Sequence, residues 1–309
     1  MRKLHVVITD TPFPETEVEE SVLSPIQASI TVGHCCTEDE VLAIARDADA
    51  VMVQWAPISR RVIEQLTHCR IISRYGVGVD MIDLEAAREH GIQVANVPDF
   101  CVEEVATHTL CFLLALGRKL FAQDRLIRQG VWKAVDAIRP LHRLRNQTLG
   151  LVGVGRIGRR LAQLASPLGM RILGYDVQPP KDPMPVGLAD FETVIRESDY
   201  LSLHCPLTGD THHLINAEVL GKMKPGSFLI NVARGGVVDT EALLEALSRG
   251  QIAGAALDVF EQEPLPADHP LTKMDNVILT PHLASYSLDA AAQLRKDAAR
   301  NVLQFFKKK

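Results

Sequence analysis

The sequence predicts an α/β protein of two doubly wound domains, each built on a parallel sheet. Three observations lead there. The chain has 309 residues, more than a single hydrophobic core usually organises. Short runs, mostly rich in Val and Ile, alternate with segments of helical spacing, as they do in βαβ units. That alternation breaks once, at an apolar stretch near residue 105, and then resumes.

The elements follow in order. Strands are expected at 4–9, 28–32, 50–54, 70–73 and 93–96, with helices at 38–46, 60–66 and 84–90. A different segment opens near Asp99. Glu103 and Glu104 suit the first turn of a helix, where acids meet the positive end of the dipole. Residues 105–116 are apolar on nearly all sides, the pattern of a buried helix such as one lodged between two domains. The first domain boundary is placed there. A second series runs from 148 to about 280, with strands at 149–152, 171–175, 200–203, 227–231, 253–257 and 277–280. Beyond Ser287 the chain reads as one long amphipathic helix to Phe306. Lys307, Lys308 and Lys309 then suit its negative end. No fixed-period repeat or low-complexity segment interrupts the pattern.

Composition narrows the function classes. Hydrophobic residues make up 47% and charged residues 23%, ordinary for a globular protein whose cores need neither metal nor disulfide. A net charge of -5 gives no reason to expect nucleic acid or an anionic membrane as partner. Locally, residues 118–145 gather Arg118, Lys119, Arg125, Arg128, Lys133, Arg139, Arg143 and Arg145 against Asp124 and Asp136. A solvated or subunit-facing segment is the preferred reading, ahead of a basic rim steering acidic substrates. Cys35, Cys36, Cys69, Cys101, Cys111 and Cys205 form no C-x-x-C pair and read as reduced, mostly buried thiols of a cytoplasmic protein. The apolar run at the N-terminus is too short for a signal peptide, and 110–116 is too short to span a bilayer.

Gly153-Val154-Gly155-Arg156-Ile157-Gly158 fits G-x-G-x-x-G. The match gains weight from its setting, after a strand and before Ile157, Leu161, Leu164 and Leu168 at helical spacing. The first glycine allows the tight turn and the second lets backbone approach a pyrophosphate. The third lets helix pack closely on strand, with the phosphates at the helix N-terminus. Asp176 falls eighteen residues after Gly158 at the end of the next strand, where a carboxylate accepts from ribose hydroxyls and repels a 2′-phosphate. No Arg follows in Val177-Gln178-Pro179-Pro180. The expected cofactor is therefore NAD rather than NADP.

Three more motifs follow strands: Asn231-Val232-Ala233-Arg234-Gly235-Gly236, Asp258-Val259-Phe260-Glu261-Gln262-Glu263-Pro264 and Thr280-Pro281-His282-Leu283-Ala284-Ser285. Together with Tyr75-Gly76-Val77-Gly78-Val79-Asp80, Asn96-Val97-Pro98 and His204-Cys205-Pro206-Leu207, they make the chain resemble the D-2-hydroxyacid dehydrogenase family over essentially its whole length. It is most similar to the phosphoglycerate-dehydrogenase-like branch, and from Tyr286 onward also to the C-terminal-binding-protein corepressors.

The resemblance implies a flavodoxin-like substrate domain (1–99 and 287–309) and an NAD-binding Rossmann domain (100–286), joined by crossing helices. It also implies a catalytic set of Arg234, Glu263 and His282. His titrates near pH ~6.5, so it suits proton transfer at cellular pH. A carboxylate beside it favours imidazolium and orients the ring. Arg234 would hold the substrate carboxylate and polarise the carbonyl. By the same resemblance, backbone around Val77 and Gly78 holds the substrate carboxylate. Val77, Gly153, Gly155, Arg156, Ile157, Asp176, His204, Cys205, Pro206, Thr211, Val232, Ala233, Arg234, Asp258, His282 and Ala284 would line the cofactor, Asp258 beside the nicotinamide. The segment after the apolar helix resembles the arm through which the family forms homodimers.

The expected reaction interconverts a 2-oxo acid and a D-2-hydroxy acid, with hydroxypyruvate, glyoxylate and phosphohydroxypyruvate as candidates. Arg60 and Arg74 are read either as contacts for a phosphate or second carboxylate or as plain surface arginines. Trp55 is read either as a cap on the substrate pocket or as a packing residue. Cys205 is assigned no chemistry, and His212 and His213 are expected at the surface; no metal site is expected. Ser285 stands where the corepressors carry a tryptophan, so their ligands are not carried over. Glu263 stands where formate dehydrogenases carry glutamine, which argues against formate. The C-terminus is expected to leave no room for a regulatory domain. The alternative from another class is an NAD(H)-sensing protein-binding module of the corepressor type.

Overall fold

The computed structural model describes residues 3–132, 135–182 and 184–307. Lys133, Lys308 and Lys309, which the sequence placed in the basic segment and at the C-terminal end, lie outside them. The chain divides into two compact units, Met1–Cys101 with Ser287–Lys309, and Val102–Tyr286.

The first unit contains β1 (His5–Ile8), α1 (Glu17–Leu23), β2 (Ser29–Val32), α2 (Glu38–Ala45), β3 (Ala50–Val53), α3 (Arg60–Ile63), β4 (Ile71–Arg74), α4 (Leu84–Glu89) and β5 (Gln93–Ala95). Its five strands are all parallel, in the order β2-β1-β3-β4-β5. Alternate side chains go to opposite faces, as the pleat requires. Val7, Val51 and Ile72 join the core beneath α2 to α4. Val6, Ile8, Met52 and Ile71 join a second core that includes Leu294, Ala298 and Val302 of the last helix. Local signals start the helices. Thr37 accepts from Glu40 N–H while Glu40 accepts from Thr37 N–H, a reciprocal cap on α2. Asp83 caps α4 through Ala86 N–H.

The second unit contains α5 (Val102–Arg118), α6 (Leu120–Arg128), α7 (Val135–Ile138), β6 (Thr148–Val152), α8 (Arg156–Ala165), β7 (Arg171–Tyr175), β8 (Gly187–Leu188), α9 (Phe191–Glu197), β9 (Tyr200–Leu203), α10 (Ala217–Lys222), β10 (Phe228–Asn231), α11 (Thr240–Ser248), β11 (Gly254–Leu257) and β12 (Val277–Leu279). Its seven strands are also all parallel, in the order β12-β11-β10-β9-β6-β7-β8. The apolar α5 is buried in this unit's own core, where Ala106, Phe112, Leu113 and Leu116 pack with Leu149, Leu151 and Leu161. Its Cys111 side is exposed, so it is not apolar contact on nearly all sides.

The last helix, α12 (Leu288–Lys307), belongs to the first unit. Ser73 Oγ donates to Ala298 O at 2.8 Å and Asn301 Nδ2 to Asn96 O at 3.1 Å. Arg295 grips Glu19 of α1 through Nε and Nη2, at 2.9 and 2.6 Å, and Tyr75 Oη donates to the same carboxylate. Both carboxylate and ring are buried, and a buried charge tolerates that environment only when paired and hydrogen-bonded.

Two expectations need correction, and two elements are new. Leu168 does not continue α8, because Ser166-Pro167 turns the chain into a 3-10 segment. Cys36 and Cys111 are exposed, since one lies in the turn before α2 and the other on the outer side of α5; Cys35, Cys69 and Cys101 are buried. α1 and the two-residue edge strand β8 were not anticipated. Among the described residues no single helix is long and apolar enough to cross a membrane.

Candidate active site

β6 lies in the middle of the seven-stranded sheet, between β7 and β9. Its carboxyl end therefore opens where strand order reverses, the position at which such sheets take ligands. The chain leaves β6 as Gly153, with φ 97°. A side chain there would meet His204 C and O at 2.7 Å and Cys205 N at 2.8 Å. Gly158 packs against the Gly153 carbonyl too closely for any Cβ. Gly155 differs from both. A Cβ on it would meet nothing within 4 Å, and its φ of -72° needs no glycine. Neither packing nor backbone explains it, whereas a ligand approaching the main chain does. The first turn of α8, at Arg156 and Ile157, has no side-chain cap, so its positive end is available to an anion. The residues present fit a dinucleotide pyrophosphate.

Asp176 follows β7. Its Oδ2 accepts Val154 N–H at 2.7 Å and its Oδ1 accepts Gln178 N–H at 2.8 Å. It thus ties the glycine loop to β7, and each oxygen keeps capacity for a ribose hydroxyl. Beyond β9, His204 Nε2 lies 2.9 Å from Ser202 Oγ. Burial pushes its pKa down to about 4, which leaves the ring neutral. Its main chain lies against Gly153, and its ring edge lies near Gly158. Burial, aided by the Asp176 charge, pushes the Cys205 thiol up to about 11, so it is a poor nucleophile. Thr211 Oγ1 donates to Pro206 O at 2.6 Å and accepts Thr208 N–H at 2.7 Å, closing the loop after β9.

The turn after β10 is pinned by buried Asn231, whose Nδ2 donates to Arg234 O at 2.9 Å and whose Oδ1 accepts Ala233 N–H at 3.0 Å. That fixes Val232, Ala233 and Arg234, and Arg234 Nη1 donates to Ala233 O at 2.7 Å. Gly235 lies against the Phe260 backbone with no room for a side chain, which holds this turn to the loop bearing Glu263. Glu263 Oε1 accepts Phe260 N–H at 2.9 Å, and Oε2 lies 2.6 Å from His282 Nδ1. Burial pushes the Glu263 carboxyl up. The bonds from His282 and Phe260, with the His282 and Arg234 charges, outweigh it and hold the group below the usual range. Arg234 and His282, from two other loops, thus both act on Glu263. His282 has φ 55°, an uncommon conformation for a residue other than glycine. Its N–H donates to Asp258 O at 2.8 Å. Asp258 is buried, with Oδ1 accepting Thr280 Oγ1–H and Leu283 N–H and Oδ2 accepting Ala284 N–H.

Comparison with known proteins decides what this arrangement belongs to. Residues 110–284 match the family described as D-isomer specific 2-hydroxyacid dehydrogenase, NAD binding domain. The chain belongs to the D-2-hydroxyacid dehydrogenase family. It is 42% identical over 283 residues to the glyoxylate reductase of Thermofilum pendens, covering 88% of this chain and 82% of that one. It is 36% identical over 282 residues to the hydroxypyruvate reductase of Thermotoga maritima, covering 89% and 90%. The D-lactate dehydrogenase of Aquifex aeolicus, solved with NAD and lactic acid, matches with TM-score 0.88 at 31% identity, over 98% of this chain and 96% of that one. The chain is thus an NAD-dependent dehydrogenase that interconverts 2-oxo acids and 2-hydroxy acids.

In this dehydrogenase the first unit carries its own candidate loop. Gly76 has φ 143°, Val97 N–H donates to Gly76 O, and Asn96 Nδ2 donates to Val77 O at 2.6 Å, which leaves Val77 and Gly78 on a fixed turn after β4. The Arg74 guanidinium packs against Gly76, beside that turn. Arg60 is drawn away by Glu89, Asp83 and Glu85 and reads as a surface ion-pair residue. Trp55 is 57% exposed, which disfavours the packing alternative; the Asp10 carboxylate holds the backbone N–H groups of Gln54 and Trp55. His213 pairs with Glu261 at 2.6 Å, and no group of three or more metal-ligating side chains occurs among the described residues. Sequence reasoning gave no role to Asn231 or Thr280 and did not single out His108. The polar residue ending β10 and the Thr before Pro281 were signals for two of them.

Proposed function

We propose that this dehydrogenase reduces small 2-oxo acids, glyoxylate and hydroxypyruvate first among them, to the D-2-hydroxy acids, and runs the reverse oxidation through the same groups. The observation that carries the residue roles is the 2.6 Å pairing of His282 Nδ1 with Glu263, a carboxylate held below its usual pKa range. A carboxylate only accepts, so Nδ1 carries a proton and Nε2 is the atom that exchanges one with the substrate oxygen. In the reductive direction Nε2–H protonates the oxygen as the carbonyl carbon becomes tetrahedral. In the oxidative direction neutral Nε2 takes the hydroxyl proton. Arg234 would grip the substrate carboxylate and polarise its carbonyl, with backbone N–H groups of Val77 and Gly78 as further carboxylate donors.

Gly153, Gly155, Arg156 and Ile157 would receive the NAD pyrophosphate, Asp176 the adenosine ribose, and the main chain from His204 to Pro206, with Thr211, Val232, Ala233, Asp258 and Ala284, the rest. Bound NADH supplies the hydride. On a longer acid such as phosphohydroxypyruvate, Arg74, which packs beside Gly76, would meet the further polar group. We assign the protein to the cytoplasm as a homodimer. Leu120, Phe121 and Trp132 support the dimer, being exposed apolar side chains on or near α6.

The test is an absorbance assay of NADH and NADPH against glyoxylate, hydroxypyruvate, phosphohydroxypyruvate and pyruvate. Turnover with NADH is expected for at least one acid. An enzyme that binds NADH yet turns over none would end the reading. His282→Ala should lower kcat about 10²–10⁴-fold, the range of a lost general acid–base, with NADH affinity kept.

A further inference from the structure

His108 lies on α5, outside every motif assigned above. Its Nε2 sits 3.2 Å from Thr280 Oγ1 and 4.0 Å from Asp258 Oδ1, 172 residues away from Thr280 in the chain. Thr280 has a single hydroxyl proton, and it is spent on Asp258 Oδ1, which as a carboxylate can only accept. Thr280 Oγ1 must therefore accept from His108, so Nε2 of His108 bears a proton. The chain of donors runs from His108 to Thr280 to Asp258, and Asp258 also receives Leu283 N–H and Ala284 N–H on the far side of His282. Residues 280 and 283–284 bracket His282, whose left-handed backbone is held by its own N–H to Asp258 O. A strained conformation persists only where its surroundings over-determine it.

We infer that His108 is a positioning residue for proton transfer: through Thr280 and Asp258 it holds the 280–284 turn so that His282 meets Glu263. The inference rests on the dehydrogenase reading above. The His108 ring also lies edge-on to Phe112, at 4.4 Å between centroids. The Phe112 contact gives the competing, purely packing explanation, and the variants separate the two. His108→Leu keeps an apolar neighbour for Phe112 and removes the donor. His108→Gln restores an N–H at the end of a similar reach. Thr280→Val breaks the same chain from the other side.

The experiment measures kcat and KM for wild type, H108L, H108Q, T280V and the H108L/T280V double variant. It uses NADH and whichever 2-oxo acid of the panel the wild type turns over fastest. H108L and T280V should each lower kcat about 10–100-fold, the size of effect that misplacement of a reacting group by an ångström produces. KM for NADH should change much less than kcat, since the glycine loop and Asp176 are untouched. The double variant should be no slower than the worse single one, because both cut one chain, and H108Q should recover most of the activity. Wild-type kcat in H108L, losses that multiply in the double variant, or failure of glutamine to rescue would each overturn the inference. If T280V alone kept full activity, the chain would carry nothing and the inference would fail as well. A wild type inert toward every acid would instead overturn the dehydrogenase reading, and this inference with it.

Discussion

Glu263 and His204 are both partly withdrawn from water, yet their charges end differently because one has partners for its charged form and the other does not. Glu263 meets a histidine, a backbone N–H and the Arg234 charge, and stays ionised below the usual carboxylate range. His204 is bonded to Ser202 and loses its hydration, so it stays neutral down to a pKa of about 4. Between that value and the unfolded one, 6.5, the unfolded chain binds the proton and the folded chain does not. The contribution of His204 to stability is therefore fully present above pH 6.5 and is lost as pH falls towards 4, by about 2 kcal/mol at pH 5. His204→Gln should shrink the difference in Tm between pH 7.5 and pH 5, measured by scanning calorimetry. An unchanged difference would mean that other groups set the acid limb. Asp176 works at the same scale. Val177, 81% exposed, follows it directly. The Asp176→Ala/Val177→Arg double variant should gain NADPH use, removing the charge that repels a 2′-phosphate and adding one that attracts it. It should also weaken NADH binding, since the Val154 and Gln178 N–H groups lose their acceptor. An unaltered preference for NADH over NADPH in kcat/KM would sink the ribose assignment.

The glycine loop and α8 make one element whose parts can be separated. Gly158 is required by packing on Gly153, whereas Gly155 faces open space. Gly158→Ala should therefore lower Tm and dinucleotide affinity together, as the helix must move off its strand. Gly155→Val should leave Tm near wild type and weaken NADH binding by at least about 10-fold, because only the approach of the pyrophosphate is blocked. Calorimetry and NADH fluorescence titration distinguish these outcomes, and equal loss of Tm in both variants would contradict the division of roles. Elements whose cause is local were legible beforehand: α2, α4 and α8 begin at their own caps and glycines. α1 was not. Pro12 and Pro14 precede it and its pattern is short and acidic, and what anchors it is Arg295, 276 residues distant from Glu19.

For the whole molecule, the two sheets have different strand orders, and each places its candidate loops after strand ends. The C-terminal helix rejoins the first unit through Ser73, Asn96 and Glu19, so the first unit is assembled from both ends of the chain. The exposed Leu120, Phe121 and Trp132, the last 83% accessible, lie among the arginines of the basic segment. Introducing acids there should halve the mass of the proposed homodimer. The Phe121→Glu/Trp132→Glu double variant is expected to elute as a monomer in light-scattering chromatography. A wild type already monomeric, or a variant still dimeric, would place the subunit contact elsewhere or nowhere.

What the sequence by itself determined is whatever neighbouring residues enforce: strand and helix periodicity, the three tasks of Gly153, Gly155 and Gly158, and the strand-end placement of Arg234, Glu263 and His282. The parallel sheets followed too, because each strand is short, apolar and separated from the next by a helix-length segment. Tertiary structure decided which side chains were already spent. Arg60 looked as suitable for an anion as Arg74 until Glu89, Asp83 and Glu85 closed round it. His204 has one ring nitrogen already engaged by Ser202. Asn231 and Thr280 looked like connecting residues, and His108 like one more side of a helix, until folding set them beside Arg234 and Asp258. The reason is physical. A hydrogen bond needs its partners within about 3 Å, and a local pattern carries neither the rotamer that sets His204 on Ser202 nor the folding that closes the 172 residues between His108 and Thr280.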